Sequence, residues 1–228
     1  SQVNAQQYSF INYSIDQGLP QTQVRDIVQD SLGYLWIATI GGVSRFDGYS
    51  FQNYSVLNGL LDNQVFSLAV DNVGDVWMGS RGGITKFDGH SFKTIKFKEG
   101  FNSSSVYKIY SDADTLWLAV GKGLIKIVNN QLKYFTVDDG LISNYIRDIV
   151  RVSPDELWIA TWNGISILKN GKFSEFKLLE KQTYVLNILQ DSNTIWIATG
   201  GKGLYKYEND SISSYTTSNG LASNSFTE

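Results

Sequence analysis

The feature that most constrains this chain is a phrase repeated five times at a step of about 40 residues. Each copy is an aliphatic residue, Trp, an aliphatic residue or Met, then a small residue. The copies are Leu35-Trp36-Ile37-Ala38, Val76-Trp77-Met78-Gly79, Leu116-Trp117-Leu118-Ala119, Leu157-Trp158-Ile159-Ala160 and Ile195-Trp196-Ile197-Ala198. A fixed period of this length belongs to solenoids and propellers, whose units bury a face only against the next unit. The five tryptophans are therefore read as core.

The first copy shows what one unit contains. Val24-Arg25-Asp26-Ile27-Val28 is short and β-rich, and Asp30-Ser31-Leu32-Gly33 is a turn. Tyr34-Leu35-Trp36-Ile37-Ala38-Thr39 has the length and aromatic content of a buried strand. Gly41-Gly42 breaks it, and Val43-Ser44-Arg45-Phe46 alternates as a half-buried strand does. Asp47-Gly48 then signals a hairpin with positive φ at both turn residues, leading to Phe51-Gln52-Asn53-Tyr54. Asp88-Gly89, Asn129-Asn130, Asn170-Gly171 and Asn209-Asp210 hold the same turn in later copies. Gly-Leu or Gly-Phe opens every passage between units except the one at Leu179-Glu180-Lys181.

Four antiparallel strands per unit with Trp in the second describe a propeller blade. The expected fold is all-β: a β-propeller of four-stranded antiparallel blades at approximately 24–54, 65–95, 106–135, 146–176 and 184–215. A spare outer strand is expected at 8–13, and the start of a further inner strand at 224–228. Residues 1–228 thus read as a partial propeller from a longer protein. Its partners would be the remaining blades and downstream domains, with self-association through open strand edges as a further outcome.

Composition narrows the function. Net charge is −3 with Lys and Arg scattered, which gives no footprint for nucleic acid. No apolar run approaches the roughly 20 residues that span a bilayer, so no membrane contact is expected of this segment. Cysteine is absent and His90 is the one histidine, which excludes a histidine triad or a multi-histidine metal site within the chain. Asp30, Asp71, Asp112 and Asp191 repeat at one turn position, and Asp47 and Asp88 at another. Repetition makes them turn formers, not an acid–base pair. Asp138-Asp139 lacks calcium-loop spacing. Neither a catalytic group, a metal site nor a cofactor is expected.

A propeller gathers variable loops at one rim, and loops on a rigid scaffold carry binding residues. Between second and third strands the copies differ at Ile40, Arg81, Lys122, Trp162 and Lys202. The approaches to the inner strands differ too, and supply Gln23, Asn63, Gln64, Asn144, Tyr145 and Tyr184. Amides, cations and aromatics on one rim suit a sugar, whose hydroxyls take planar hydrogen-bond partners and whose C–H face takes an aromatic ring. Trp162 stands out as the tryptophan off the repeat register. It would cover a neighbouring blade or domain, contact a ligand, or contact a partner protein.

The stretches Gly18 to Gly48 and Gly59 to Gly89 resemble the two-component regulator propeller repeat in their Gly-Leu, Asn, Asp, Gly, Leu-Trp-Ile, Gly and Phe-Asp-Gly positions. The resemblance runs along nearly the whole chain. It implies an extracytoplasmic sensor propeller of a bacterial hybrid histidine kinase of the Bacteroidetes type, on the periplasmic or extracellular side, responding to an oligosaccharide. The motif residues are structural in that family, so no ligand position carries over. The alternatives are a propeller scaffold for surface assembly or secretion and, last, a propeller lyase or hydrolase.

Overall fold

The computed structural model describes residues 10–226. They form five four-stranded antiparallel sheets, each with its strands in chain order from the inside outwards. Blade 1 holds β1 (Val24–Gln29), β2 (Leu35–Thr39), β3 (Gly42–Phe46) and β4 (Phe51–Tyr54). Blade 2 holds β5 (Val65–Val70), β6 (Val76–Ser80), β7 (Gly83–Phe87) and β8 (Phe92–Lys96). Blade 3 holds β9 (Val106–Asp112), β10 (Thr115–Val120), β11 (Gly123–Val128) and β12 (Gln131–Phe135). Blade 4 holds β13 (Ile146–Ser153), β14 (Glu156–Thr161), β15 (Gly164–Lys169) and β16 (Lys172–Glu175). Blade 5 holds β17 (Val185–Asp191), β18 (Thr194–Thr199), β19 (Leu204–Glu208) and β20 (Ser211–Tyr215). The inner strands β1, β5, β9, β13 and β17 pack in succession around an axis.

The second strands are buried on both faces because each blade lies between two others. That is why they read as continuous apolar runs and not as alternation. Trp36 reaches Tyr54 of its own blade and Phe87 of the next, with ring centroids 5.8 and 5.3 Å away. Its indole N–H is held by the preceding turn. Asp30 accepts the backbone N–H groups of Leu32 and Tyr34 through Oδ1, and Trp36 Nε1–H through Oδ2 at 2.7 Å. Asp71 repeats the arrangement with Val73, Asp75 and Trp77. These carboxylates are turn formers that also clasp the core tryptophan. Blade 3 departs from the scheme: Asp112 pairs with Arg151 of the next blade, and Trp117 Nε1 is buried with no hydrogen-bond partner among the described residues.

The third turns correct one expectation. Asn129-Asn130, Asn170-Gly171 and Asn209-Asp210 do have positive φ at both residues. In blades 1 and 2 only the glycine does, and the loop is wider, with Phe46 paired to Phe51 and Phe87 to Phe92. The cause is the aspartate. Asp47 Oδ1 accepts the N–H groups of Tyr49 and Ser50 at 2.8 and 2.7 Å, which builds a side-chain turn in place of the two-residue hairpin. Those two hydrogen bonds also hold the Asp47 carboxyl below the usual carboxylate range. Four passages contain short 3-10 turns, at Ile15–Gln17, Val56–Asn58, Val137–Asp139 and Thr217–Asn219, which the sequence reading did not anticipate. Asp139 accepts the N–H of Thr136 as part of such a cap, which accounts for half of the Asp138-Asp139 pair.

The ends differ from each other. No strand forms at 10–13, and residues 8 and 9 of the expected outer strand lie outside the described residues. A blade's outer strand gains its ladder from a third strand, and among the described residues no strand pairs with this segment. Tyr13 instead sits edge-on to Phe46 and Phe51 at 5.1 and 5.6 Å. At the other end Ser225 bridges Gly200 as Ser105 bridges Arg81, so 224–226 follow the path of an inner-strand approach. Residues 227 and 228 of that expected strand lie outside the described residues. The flanks of the array are uncovered. Ile27 is 53% exposed where Ile149 is 2% exposed, and Leu189 of blade 5 is 60% exposed beside a half-buried Trp196.

Candidate functional site

Every inner strand slips register at the same place: between Val24 and Asp26, Val65 and Ser67, Val106 and Lys108, Ile146 and Asp148, and Val185 and Asn187. The residue passed over is a β-bulge, which re-aims a side chain. The five bulge residues are Arg25, Phe66, Tyr107, Arg147 and Leu186, and all five line one axial cavity of about 410 Å³. Phe226 lines it as well. Phe66 meets Tyr107 edge-on at 6.3 Å, and the Arg147 guanidinium lies over the Tyr107 ring at 5.0 Å.

In blades 1 to 4 the residue after the bulge reaches the next blade. Asp26 accepts the N–H of Leu68 at 2.8 Å, Ser67 donates to the carbonyl of Val106 at 2.9 Å, and Asp148 accepts the N–H of Ile188 at 2.9 Å. Lys108 stands 3.8 Å from Asp148. Burial pushes the Asp148 carboxyl above its ordinary 3.8, against the opposing pull of Lys108 and the two N–H groups. The folded state therefore holds a proton that the unfolded chain has released, from pH 3.8 up to the raised value. Stability falls as pH rises through that window. Asp148→Asn, which keeps an acceptor for Ile188, is expected to flatten this slope. Thermal unfolding of both forms between about pH 4 and 7 checks it; parallel pH profiles would refute the burial argument.

The rim is built where the start of each inner strand meets the end of the second strand, as in the pairs Val24–Thr39 and Ile146–Thr161. Here three candidates converge. Tyr145 stacks on Trp162 with centroids 4.6 Å apart and planes at 21°, and Tyr184 of blade 5 meets Trp162 edge-on at 5.4 Å. Trp162 N–H donates to the carbonyl of Tyr145, and Gly200 N–H to that of Tyr184, which pins both approaches. Gly200 is required by space: a Cβ there would stand 2.6 Å from the Tyr184 ring. Despite these contacts Trp162 is 50% exposed and Tyr145 53% exposed.

Four other candidates are engaged in holding loops. Asn63 and Asn144 accept the N–H groups of Val56 and Val137, capping 3-10 turns. Lys122 donates to the carbonyl of Gly100 at 2.8 Å. Lys202 binds Glu180 at 2.9 Å and also reaches the Lys181 carbonyl and the Thr183 hydroxyl, so it closes the passage that lacks a glycine. Arg81, Gln64 and Gln23 are exposed on blades 2 and 1, away from the aromatic trio of blades 4 and 5. His90 is exposed in its hairpin turn. The sequence reading missed Arg25, Phe66, Tyr107, Lys108 and Arg147. For all but Lys108 the one signal was variety at a fixed position between a repeated aliphatic residue and a following Asp, Ser, Lys or Asn; no glycine marked the bulge.

Three stretches of the chain, residues 18–41, 59–82 and 140–163, match the family model described as the two component regulator propeller. Each runs from a Gly-Leu passage through an inner strand and past the tryptophan strand. No protein of curated function matches the sequence. Among solved structures, the extracellular domain of the hybrid two-component system BT4673 from B. thetaiotaomicron is 26% identical with a TM-score of 0.71. That likeness covers 84% of this chain and 27% of the other. The extracellular domain of the hybrid two-component system BT3049 from B. thetaiotaomicron is 18% identical, with a TM-score of 0.65, over 94% of this chain and 38% of the other. A virginiamycin B lyase from Staphylococcus aureus is 18% identical, with a TM-score of 0.71, over 86% of this chain and 71% of the other. The last two likenesses show the fold alone. The BT4673 likeness agrees with a location outside the cytoplasm, and no helix among the described residues is long and apolar enough to cross a membrane.

Proposed function

We propose that this chain, which carries repeats of the two-component regulator propeller, is the ligand-reading part of an extracytoplasmic two-component sensor and takes an oligosaccharide on its rim. The observation that supports this most is the Tyr145–Trp162–Tyr184 trio. Large apolar rings on a monomer's surface mark contact sites, and here Tyr145 and Trp162 stay about half exposed although they stack on each other. A pyranose presents an apolar C–H face of matching size. Its hydroxyls need donors and acceptors close by, and the neighbouring axial mouth offers Tyr107 and the charged side chains beside it. No reaction is assigned to the chain, and a sensor-type propeller is consistent with a non-enzymatic role.

Ligand binding signals only if its affinity differs between two arrangements of the receptor. Tyr145 and Trp162 belong to blade 4 and Tyr184 to blade 5, so a sugar across the trio would favour one setting of that junction. The test is calorimetric titration of the chain with neutral cello-, xylo- and galacto-oligosaccharides. Trp162→Ala is expected to weaken whichever glycan binds by about tenfold or more, about 1.4 kcal/mol, with Trp162→Phe restoring most of it. The half-exposed position makes the melting temperature nearly indifferent to the change. Unchanged affinity in Trp162→Ala would remove the trio from the site. Failure of every glycan against a folded chain would turn the reading towards a protein partner on the same rings.

A further inference from the structure

We infer that the junction of blades 3 and 4 holds a second binding site, for the carboxylate of a small organic acid with an apolar body. Lys126 and Lys133 take the carboxylate, and the Trp117 indole N–H completes its shell. The site is bordered by Pro154 in the turn before β14 and by Asn170 and Gly171 in the turn before β16, so it lies at the end of the blades opposite the rim. It does not depend on the reading of the rim as a saccharide site.

The inference comes from comparing two blades. Lysines stand directly opposite each other on the third and fourth strands of both, as Lys86–Lys93 in blade 2 and Lys126–Lys133 in blade 3. In each blade the third-strand lysine is also opposite the tryptophan and lies over its ring, at 5.3 Å in blade 2 and 5.2 Å in blade 3. Like charges set opposite each other repel. Blade 2 answers with its own carboxylates. Lys86 pairs with Asp75, Lys93 pairs with Asp88 at 3.0 Å, and Asp71 accepts the Trp77 N–H at 2.8 Å. Blade 3 keeps the three donors and lacks the three acceptors. Thr115 and Val128 pair at the end of its ladder, where Asp75 and Asp88 flank that of blade 2. Asp112, at the turn that holds Asp71 in blade 2, is drawn away to Arg151. Among the described residues neither Lys126 nor Lys133 has a carboxylate partner, and Lys133 lies over the Phe135 ring at 4.9 Å. Trp117 is 5% exposed, and its Nε1–H is buried without a partner among the described residues. A donor left so carries its desolvation cost uncompensated.

The three donor residues line one cavity of about 340 Å³ between the blades. Ligand pockets start at roughly 300 Å³, so a small acid is the size that fits. Phe135, Leu157 and Leu168 supply apolar wall, which suits an organic body and gives nothing to a bare inorganic ion. Arg151 also lines the cavity, but it is committed to Asp112 and to the Pro154 carbonyl at 3.2 Å, and it is not counted among the receiving groups. Asp155 brings a carboxylate to the wall. It accepts the Ser153 hydroxyl at 2.8 Å and stands 3.8 Å from Lys169, which offsets its charge. The lysine stems are flexible, so both ammonium groups can leave their rings for a ligand.

The experiment titrates the chain calorimetrically with benzoate, butyrate, the corresponding neutral amides and inorganic phosphate. The Trp117 indole N–H resonance is followed alongside, assigned by its loss in Trp117→Phe. At least one acid is expected to bind saturably with Kd of about 1 mM or lower, about tenfold more tightly than its amide and than phosphate, and to shift that resonance. Added salt is expected to weaken the binding. Lys126→Gln and Lys133→Gln are each expected to weaken it about tenfold, and Lys126→Arg to keep most of it. Lys86→Gln, in the blade that supplies its own carboxylates, is expected to leave it unchanged. An amide binding as well as its acid, or phosphate as well as either acid, would overturn the proposal. So would an acid that binds with the Trp117 resonance unmoved or with both lysine variants silent. No saturation by either acid below about 10 mM would leave the indole N–H to a buried water and overturn it as well.

Discussion

Trp158→Ala is expected to lower the free energy of unfolding by about 3–5 kcal/mol. Trp158 is 2% exposed and joins two blades. Its ring packs on Phe176 at 4.5 Å and on Tyr207 of blade 5 at 5.6 Å, and those two rings meet each other at 5.2 Å. Removing the indole opens a cavity that neither sheet can close, because each is fixed by its own ladder. It also deprives Glu156 of a 2.6 Å hydrogen bond, though Lys169 still holds that carboxylate. Trp196 occupies the same register in blade 5 and is only half-buried, on the uncovered flank. Trp196→Ala should therefore cost clearly less. Urea denaturation of both variants makes the comparison; equal losses would show that packing between blades is not what the repeated tryptophan supplies.

Gly42→Ala is expected to be comparably damaging for a different reason. Gly42 has φ +135°, which an L side chain rarely adopts, and this strain costs about 1–3 kcal/mol. A Cβ at that point would also be driven into the carbonyl oxygen of Tyr54, a backbone atom that no rotamer change can move. Such overpacking costs typically about 1–3 kcal/mol more. The crowding arises because the first residue of β3 faces the end of β4, and the outer strand closes tightly over it. Chemical denaturation measures the loss. A change below about 1 kcal/mol would mean that β4 moves away freely, and that the outer strand is not fixed in place as the ladder implies.

The repeat carried the fold because its signals are local and recur. The tryptophan strand, the Gly-Gly break and the hairpin after Phe46 each bind residues a few positions apart. Asp30 and Asp71 were readable as turn formers for the same reason. Their second task, clasping Trp36 and Trp77, followed from a separation of only six residues. The width of the turn at Asp47 was not readable, because Asp-Gly serves a two-residue hairpin and a side-chain turn alike. The aspartate's choice of Tyr49 and Ser50 as donors decided it.

At the rim the sequence named Tyr145, Trp162 and Tyr184 among ten candidates without ranking them together. Lys122 and Lys202 looked like equally free cations until the backbone of neighbouring passages brought Gly100, Lys181 and Glu180 within reach. Asn63 and Asn144 were spent in the same way on 3-10 caps.

By itself, then, the sequence determined the blade: its four strands, its tryptophan core, the place of its hairpin turns and its repetition. Those depend on contacts within some forty residues, and each copy restates them. The tertiary structure alone decided what faces the axis. Arg25 and Arg147 are about 120 residues apart in the chain, three blades of about 40 residues each. Only the ring arrangement of the inner strands sets them on one cavity. The bulge that points them there is an irregularity of pairing, fixed by how each inner strand must bend to follow its neighbour, and no residue type in the sequence announces it.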